Sequence, residues 1–199
     1  MAKLVNWHDF EAKIRGKKIP VFSSLDIKRL FKVSKVAADF LLHRYSKKNY
    51  ITRIKRGLYI LPDIFLPELF IANKLYEPSY ISLETALSYW GVIPETVYEV
   101  KSITPQATKR FETMGKVFSY TKIKREAFSG YKLEKQKELG FYIADAEKAF
   151  VDLNYIRMLK NLKPISRFDK QKINFAKTMK YTSLFNNPRL FAIITRTLK

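Results

Sequence analysis

Apolar residues change their spacing twice between Val21 and Pro62, and the change predicts two helices followed by a strand pair. Leu25, Ile27, Leu30 and Phe31 recur at helical intervals, while Lys28 and Arg29 point away from that face. Ser23-Ser24-Leu25-Asp26 supplies a start, with a serine oxygen for the exposed amides and an acid in the first turn. Lys32-Val33 makes a turn, and Ser34 is placed to cap a second helix. In that helix Val36, Ala37, Phe40, Leu41 and Tyr45 are expected to face inward. Lys35, Ala38, Asp39 and Leu42 then form the opposite stripe, with His43 at its edge. The spacing next turns strand-like: Ile51, Ile54, Leu58 and Ile60 can pack inward around a turn that Gly57 permits. An earlier helix from Val5 to Ile14, with Trp7, Phe10 and Ile14 on one side, completes a three-helix core in which Trp7 is read as packing rather than base stacking. The order of elements predicts a winged helix-turn-helix over residues 1–64.

Beyond Pro62-Asp63, Phe65–Tyr76 reads as a linking helix, and Ser82 starts another that Gly91 and Pro94 end. Leu83, Ala86, Leu87 and Trp90 form its buried face. Strands are expected at Tyr98–Thr104, Lys116–Lys124, Tyr131–Glu134 and Gly140–Ala144, punctuated by glycines. Helical spacing returns at Asp145–Met158, with Ala149, Phe150, Leu153 and Ile156 inward. It recurs around Asp169–Tyr181, and again from Asn187-Pro188, a cap followed by proline, to Leu198. The fold class is therefore α+β: a winged helix-turn-helix, then a mixed α+β domain over 65–199 with C-terminal helices.

Charge gives this pattern a partner. The 199 residues hold 38 Lys+Arg against 18 Asp+Glu, a net charge of +20. Residues 1–65 carry 15 cations against 5 acids, residues 66–100 carry 1 against 5, and residues 101–199 carry 22 against 8. Such a chain attracts polyanions, although a merely solvated basic surface has the same composition. A hydrophobic content of 47 % and an aromatic content of 15 % belong to a folding chain. Cysteine is absent, which excludes disulfides and thiolate metal sites and suits a reducing cytoplasm. The opening MAKLVNWHDFEAKI is charged throughout, and no apolar run approaches the roughly 18–20 residues that a membrane span needs. A soluble cytoplasmic protein is expected.

A recognition helix reads base edges mainly from its first turns, which nominates Ser34, Lys35, Ala38 and Asp39, with His43 further along. Lys28 and Arg29 join this DNA-contacting set from the preceding helix. Arg44, Lys47 and Lys48 suit either phosphate contact or the negative end of their own helix. Arg53, Lys55 and Arg56 sit at the tip of the wing, where phosphate or minor-groove contact is expected.

Signals for catalysis are thin. Only His8 and His43 are available for a zinc site or a hydrolytic triad, and no Gly-rich phosphate loop occurs. Pro62-Asp63 with Glu99-Val100-Lys101 matches the short PD…ExK pattern of Mg²⁺ nucleases, a pattern common by chance. Asp145, Glu147 and Asp152 read as a helix cap and, through Lys148–Asp152, a surface ion pair. Tyr120, Tyr131 and Tyr142 among lysines could stack on single-stranded bases, but read more simply as lining a half-buried sheet. No enzyme activity, metal or cofactor is expected.

Three phrases in order resemble the AbiEi family of antitoxins and transcriptional regulators from type IV toxin–antitoxin, or abortive-infection, systems. They are RGLYILP at Arg56–Pro62, YISLETALSYWGVIPE at Tyr80–Glu95 and YIADAEKAFVDLNYI at Tyr142–Ile156. The resemblance spans residues 5–160, and the last two phrases are its most specific part. Asp145-Ala146 departs from it where a proline is expected nearby. It implies an N-terminal winged helix that binds inverted repeats in the promoter of its own operon. It also implies an antitoxin domain over 65–199 opposing a nucleotidyltransferase-like toxin, in many cases without stably binding it. The helix Ser34–Tyr45 and the wing Arg53–Arg56 would be the DNA-contacting parts. A protein that is monomeric, or a weak dimer on DNA, fits paired half-sites.

Overall fold

The structure, a computed structural model, describes residues 5–199. The first four residues of the stretch read as lacking an apolar leader lie outside the described residues. The chain divides into two compact units, one ending at Leu66 and the other running from Pro67 to Lys199.

In the first unit α1 (Trp7–Gly16), α2 (Ser24–Phe31) and α3 (Lys35–Lys47) precede a hairpin of β1 (Thr52–Lys55) and β2 (Leu58–Ile60). Each helix begins on a side-chain cap: Asn6 Oδ1 accepts from Asp9 N, and Ser34 Oγ accepts from Ala37 N. Ser23 and Asp26 form a reciprocal capping box. Lys32, in the left-handed region at φ 53°, ends α2 and sets up the turn into α3. The core is an aromatic knot around Phe10, whose ring lies 5.0–5.8 Å from those of Trp7, Phe22, Phe31 and Tyr45. Aromatic pairs in these geometries add about 0.5–1.5 kcal/mol beyond the area they bury. Trp7 is thus part of the packing. The hairpin gains a third partner through paired amide bonds between Phe22 and Tyr59, both 2.9 Å. At its other end, Arg15 bridges Glu11 (2.8 Å) and Asp63 (2.6 Å), and the Arg15 hydrogen bond holds the Asp63 carboxyl below the usual carboxylate range.

The second unit is a six-stranded mixed sheet in the order β5-β6-β4-β3-β8-β7. Its strands are β3 (Tyr80–Ile81), β4 (Glu99–Thr104), β5 (Lys109–Thr113), β6 (Lys116–Lys122), β7 (Tyr131–Gln136) and β8 (Leu139–Ala144). Helix α4 (Glu68–Leu75) covers one face, where Tyr120 Oη donates to the Ala72 carbonyl and Asn73 ties Ser79 to Tyr142. Helices α5 (Leu83–Tyr89) and α6 (Ala146–Leu159) cover the other, with α7 (Phe175–Ser183) and α8 (Pro188–Leu198) packed beyond α6. Eleven of the fourteen residues of α6 are buried, so it is enclosed nearly all round rather than on one stripe. No helix among the described residues is long and apolar enough to cross a membrane.

Several sequence expectations change here. β3 and β5 were not anticipated: β3 is two residues long, and β5 is a charged edge strand whose Lys109 and Arg110 hide its alternation. The linking helix begins only after Pro67, and the helix expected from Asp169 begins at Phe175 after a short 3-10 turn. Leu25 is exposed rather than packed. Tyr120 is fully buried, so it offers no stacking surface.

The pair Lys148–Asp152 is the largest correction, because both side chains are wholly buried rather than on the surface. Lys148 Nζ donates to Asp152 Oδ1 and to Tyr80 Oη (2.9 Å). Tyr80 Oη (2.9 Å) and Ser82 Oγ (2.8 Å) donate to Asp152 Oδ2. Ser82 stands at the cap position of α5, but its hydroxyl serves this network instead of the helix amides. Burial pushes both the Asp152 carboxyl and the Tyr80 hydroxyl upward. Gly130, at φ +75°, closes the network from the side; a Cβ there would stand 2.7 Å from the Tyr181 ring and 2.9 Å from Lys148 Cγ. Asp145 caps α6 as expected, while its carboxylate also accepts from Tyr181 Oη (2.6 Å). Burial and that bond raise Tyr181 to about 12.

Removing one partner from a buried pair strands the other charge, which typically costs about 3–5 kcal/mol. Asp152→Ala should therefore lower the stability of the second unit by about 3–5 kcal/mol, measured by urea denaturation. A loss within the scatter of surface substitutions would show that Lys148 finds water when its partner is gone.

Candidate DNA-binding surface

α3 is fixed in rotation by Ala38, Leu41, Leu42 and Tyr45, an i, i+3, i+4, i+7 stripe that is buried along its whole length. Tyr45 carries the strongest constraint. Its ring packs on Trp7 (5.1 Å) and Phe10 (5.0 Å), and its hydroxyl donates to the Val5 carbonyl at 2.9 Å. With that side inward, the outer face of α3 presents Lys35, Val36, Asp39, Phe40, His43 and Lys47.

This arrangement corrects the expected face. Ala38 is fully buried and cannot touch a duplex, and Leu42 joins it in the core. Val36 and Phe40, expected inside, are 63 % and 72 % exposed. The error lay in choosing between two overlapping stripes in a helix that is apolar on most sides. The stricter spacing Ala38–Leu41–Leu42–Tyr45 was present in the sequence and was the better guide.

The remaining nominated residues differ in what holds them. Lys35, Asp39 and His43 lie together on the outer face of α3, with Lys47 at its end. Ser34 is exposed, but its hydroxyl is committed to capping. Arg44 is held by the Val5 carbonyl (3.1 Å) and lies over the Tyr45 ring, while Lys48 lies 6.0 Å from the Tyr50 ring centroid. Their placement serves the helix terminus and the aromatic knot as much as any ligand. Lys28 and Arg29 are exposed on α2.

In the hairpin, Thr52 pairs with Ile60, Arg53 with Tyr59 and Lys55 with Leu58, with a bulge between Arg53 and Lys55. The bulge lets Ile54 turn inward while Arg53 stays outward. Arg56-Gly57 forms the tip, and Gly57 adopts φ +83°, a conformation that side chains resist. Arg53 and Arg56 are exposed, and Lys55 is half-buried.

The arrangement can do two distinct things chemically. A helix of 13 residues, about 20 Å long, fits lengthwise in a major groove about 12 Å wide. Lys35 can donate to guanine, Asp39 can accept from cytosine N4, and Val36 and Phe40 can contact thymine methyl groups. Arginines on a narrow hairpin suit phosphates or a minor groove. Among the described residues, no group of three or more His, Cys, Asp or Glu is disposed to hold a metal ion. The PD…ExK residues are engaged in ion pairs: Asp63 with Arg15 in the first unit, Glu99 with Arg110 (3.8 Å) and Lys101 with Glu84 (3.2 Å) in the second.

No curated protein matches the chain. Residues 10–62 match the sequence model of a family described as a transcriptional regulator, AbiEi antitoxin. That span runs from the central Phe10 of the aromatic knot to the end of the wing, and it includes the first of the three AbiEi-like phrases. Over these residues the chain is similar to the AbiEi antitoxin family, and the match supports a transcriptional regulator of the abortive-infection kind.

Proposed function

We propose that this chain is a DNA-binding repressor of its own promoter and the antitoxin of a type IV toxin–antitoxin system. Its first unit binds inverted repeats, and its second opposes a nucleotidyltransferase-like toxin. The single observation that supports the DNA-binding reading most is the outer face of α3, where Lys35, Val36, Asp39, Phe40 and His43 stand exposed in the same unit as a basic wing. Lys35 and Asp39 read base edges, Phe40 and Val36 contact thymine methyls, and Arg53, Lys55 and Arg56 hold the backbone. Lys28, Arg29, Arg44, Lys47 and Lys48 add phosphate contacts. Ala38 has no part in this. The protein acts in the cytoplasm without a catalytic site of its own, as a monomer that pairs weakly on half-sites about one helical turn, roughly 34 Å, apart. The antitoxin role rests on the AbiEi resemblance alone.

Titration of the purified protein against its own upstream DNA and against scrambled DNA of equal length should give tighter binding to the former. Contact with about six to ten phosphates gives a slope of log affinity on log salt of roughly −5 to −9. Equal affinities for both DNAs would defeat the repressor reading.

Substitutions should separate reading from gripping. Lys35→Ala should cost about 1–3 kcal/mol on the specific site and little on scrambled DNA. Arg56→Ala should weaken both DNAs alike and make the salt slope shallower by about 1. Competition binding with the two variants measures this, and selective loss in Arg56→Ala would place base reading in the wing.

A further inference from the structure

On the α5–α6 side of the second unit, β4 packs against α5, and β6 and β5 lie outside it toward the edge of the sheet. Register puts Lys101, Ser119 and Arg110 side by side on that face, since Lys101 pairs with Ser119 and Ser119 with Arg110. A groove of about 570 Å³ results, floored by these strands and walled by Leu153, Ile156, Arg157 and Lys160 of α6. A second hollow of about 500 Å³ adjoins it, sharing Glu84, Glu99, Lys101, Leu153 and Arg157, and Tyr98 is in its lining.

Three features of this trough call for one kind of ligand. Lys101, Arg110, Arg157 and Lys160 line the first hollow against only Glu84 and Glu99. The two acids are already opposed, Glu84 by Lys101 at 3.2 Å and Glu99 by Arg110 at 3.8 Å. Arg157 spends its Nε on the Lys163 carbonyl (2.6 Å), so its charge is not neutralised by that bond. The surplus positive charge suits phosphate. The second feature is an acceptor without a donor: Glu84 Oε2 is buried and receives no hydrogen bond. A buried carboxylate oxygen left unpaired is costly, and a hydroxyl supplied by a ligand would satisfy it. The third feature is Tyr98, a ring in the lining of the second hollow that is 84 % exposed. Aromatic faces of this kind stack on bases.

We propose that this trough binds a free nucleoside di- or triphosphate. The phosphates lie among Lys101, Arg110, Arg157 and Lys160, a sugar hydroxyl donates to Glu84 Oε2, and the base stacks on Tyr98. The site lies wholly within the second unit and is independent of the DNA-binding reading.

Isothermal titration of the full chain with ATP tests the assignment, with pyrophosphate, adenosine and a short single-stranded RNA as comparisons. ATP should bind more tightly than pyrophosphate, adenosine or the RNA. The double variant Arg110→Glu/Lys160→Glu, both exposed side chains, should weaken ATP at least tenfold, whereas Lys35→Ala and Arg56→Ala should leave it unchanged. Tyr98→Ala and Glu84→Gln should each weaken ATP several-fold while leaving pyrophosphate binding intact. Absence of ATP binding at millimolar concentration would overturn the proposal, as would equal affinity for pyrophosphate. Tighter binding of RNA than of ATP, lost in the double variant, would overturn it in favour of an RNA groove. Equal weakening by the wing variant would reduce the signal to general attraction by a basic chain. Circular dichroism of each variant, unchanged from the parent, ties any loss to the trough rather than to unfolding.

Discussion

The burial of Tyr45 governs the first unit. Its ring is wedged between Trp7 and Phe10 and its hydroxyl is fixed to the Val5 carbonyl. Together they determine the rotation of α3, and rotation decides which side chains meet a ligand. Turning α3 by one residue would bring Ala38 outward and bury Phe40, exchanging a small side chain for a large one in a core already filled by Phe10, Phe22 and Phe31. Close-packed interiors do not absorb such a change. The chemical character of the outer face therefore follows from packing on the inner one.

The second unit depends on a different constraint, the fully enclosed Lys148–Asp152 pair with Tyr80 and Ser82. A buried ion pair of this sort is a poor source of net stability, because desolvation offsets most of the attraction. It does fix position: the Asp152 carboxylate accepts from Tyr80 and Ser82, and these two bonds tie α6 to β3 and to the start of α5. The trough lies between α6, so anchored, and strands β4, β5 and β6. At the start of α6, Lys177 reaches both Asp145 and Glu147 at 2.9 Å. Burial works against its charge, yet the two carboxylates raise the Lys177 pKa above the ordinary lysine value.

Much of this was legible where one residue type implies one conformation. Ser23, Ser34, Asp145 and Asn187 marked helix starts because their side chains accept amide hydrogens there, and Gly57 marked the wing turn through its positive φ. The winged-helix order and the basic tip were readable for the same reason. The rotation of α3 was misread because Val36, Ala37, Ala38, Phe40, Leu41 and Leu42 make periodicity ambiguous, and a tertiary partner breaks the tie. β5 was hidden because an edge strand buries too little to alternate. Lys148 and Asp152 looked like a surface pair because i, i+4 spacing says nothing about what packs over it. The trough had no signature in the sequence, since register brings together Lys101, Arg110 and Arg157 from three elements.

The orientation of α3 is the claim on which the functional account turns. Replacement of Phe40 by the photo-crosslinking amino acid benzoylphenylalanine, in protein fully bound to its own upstream DNA, tests it most directly. The account predicts a covalent adduct with the DNA from position 40 and none when the same group replaces Tyr98. A saturated complex that gives no adduct from position 40 would contradict it.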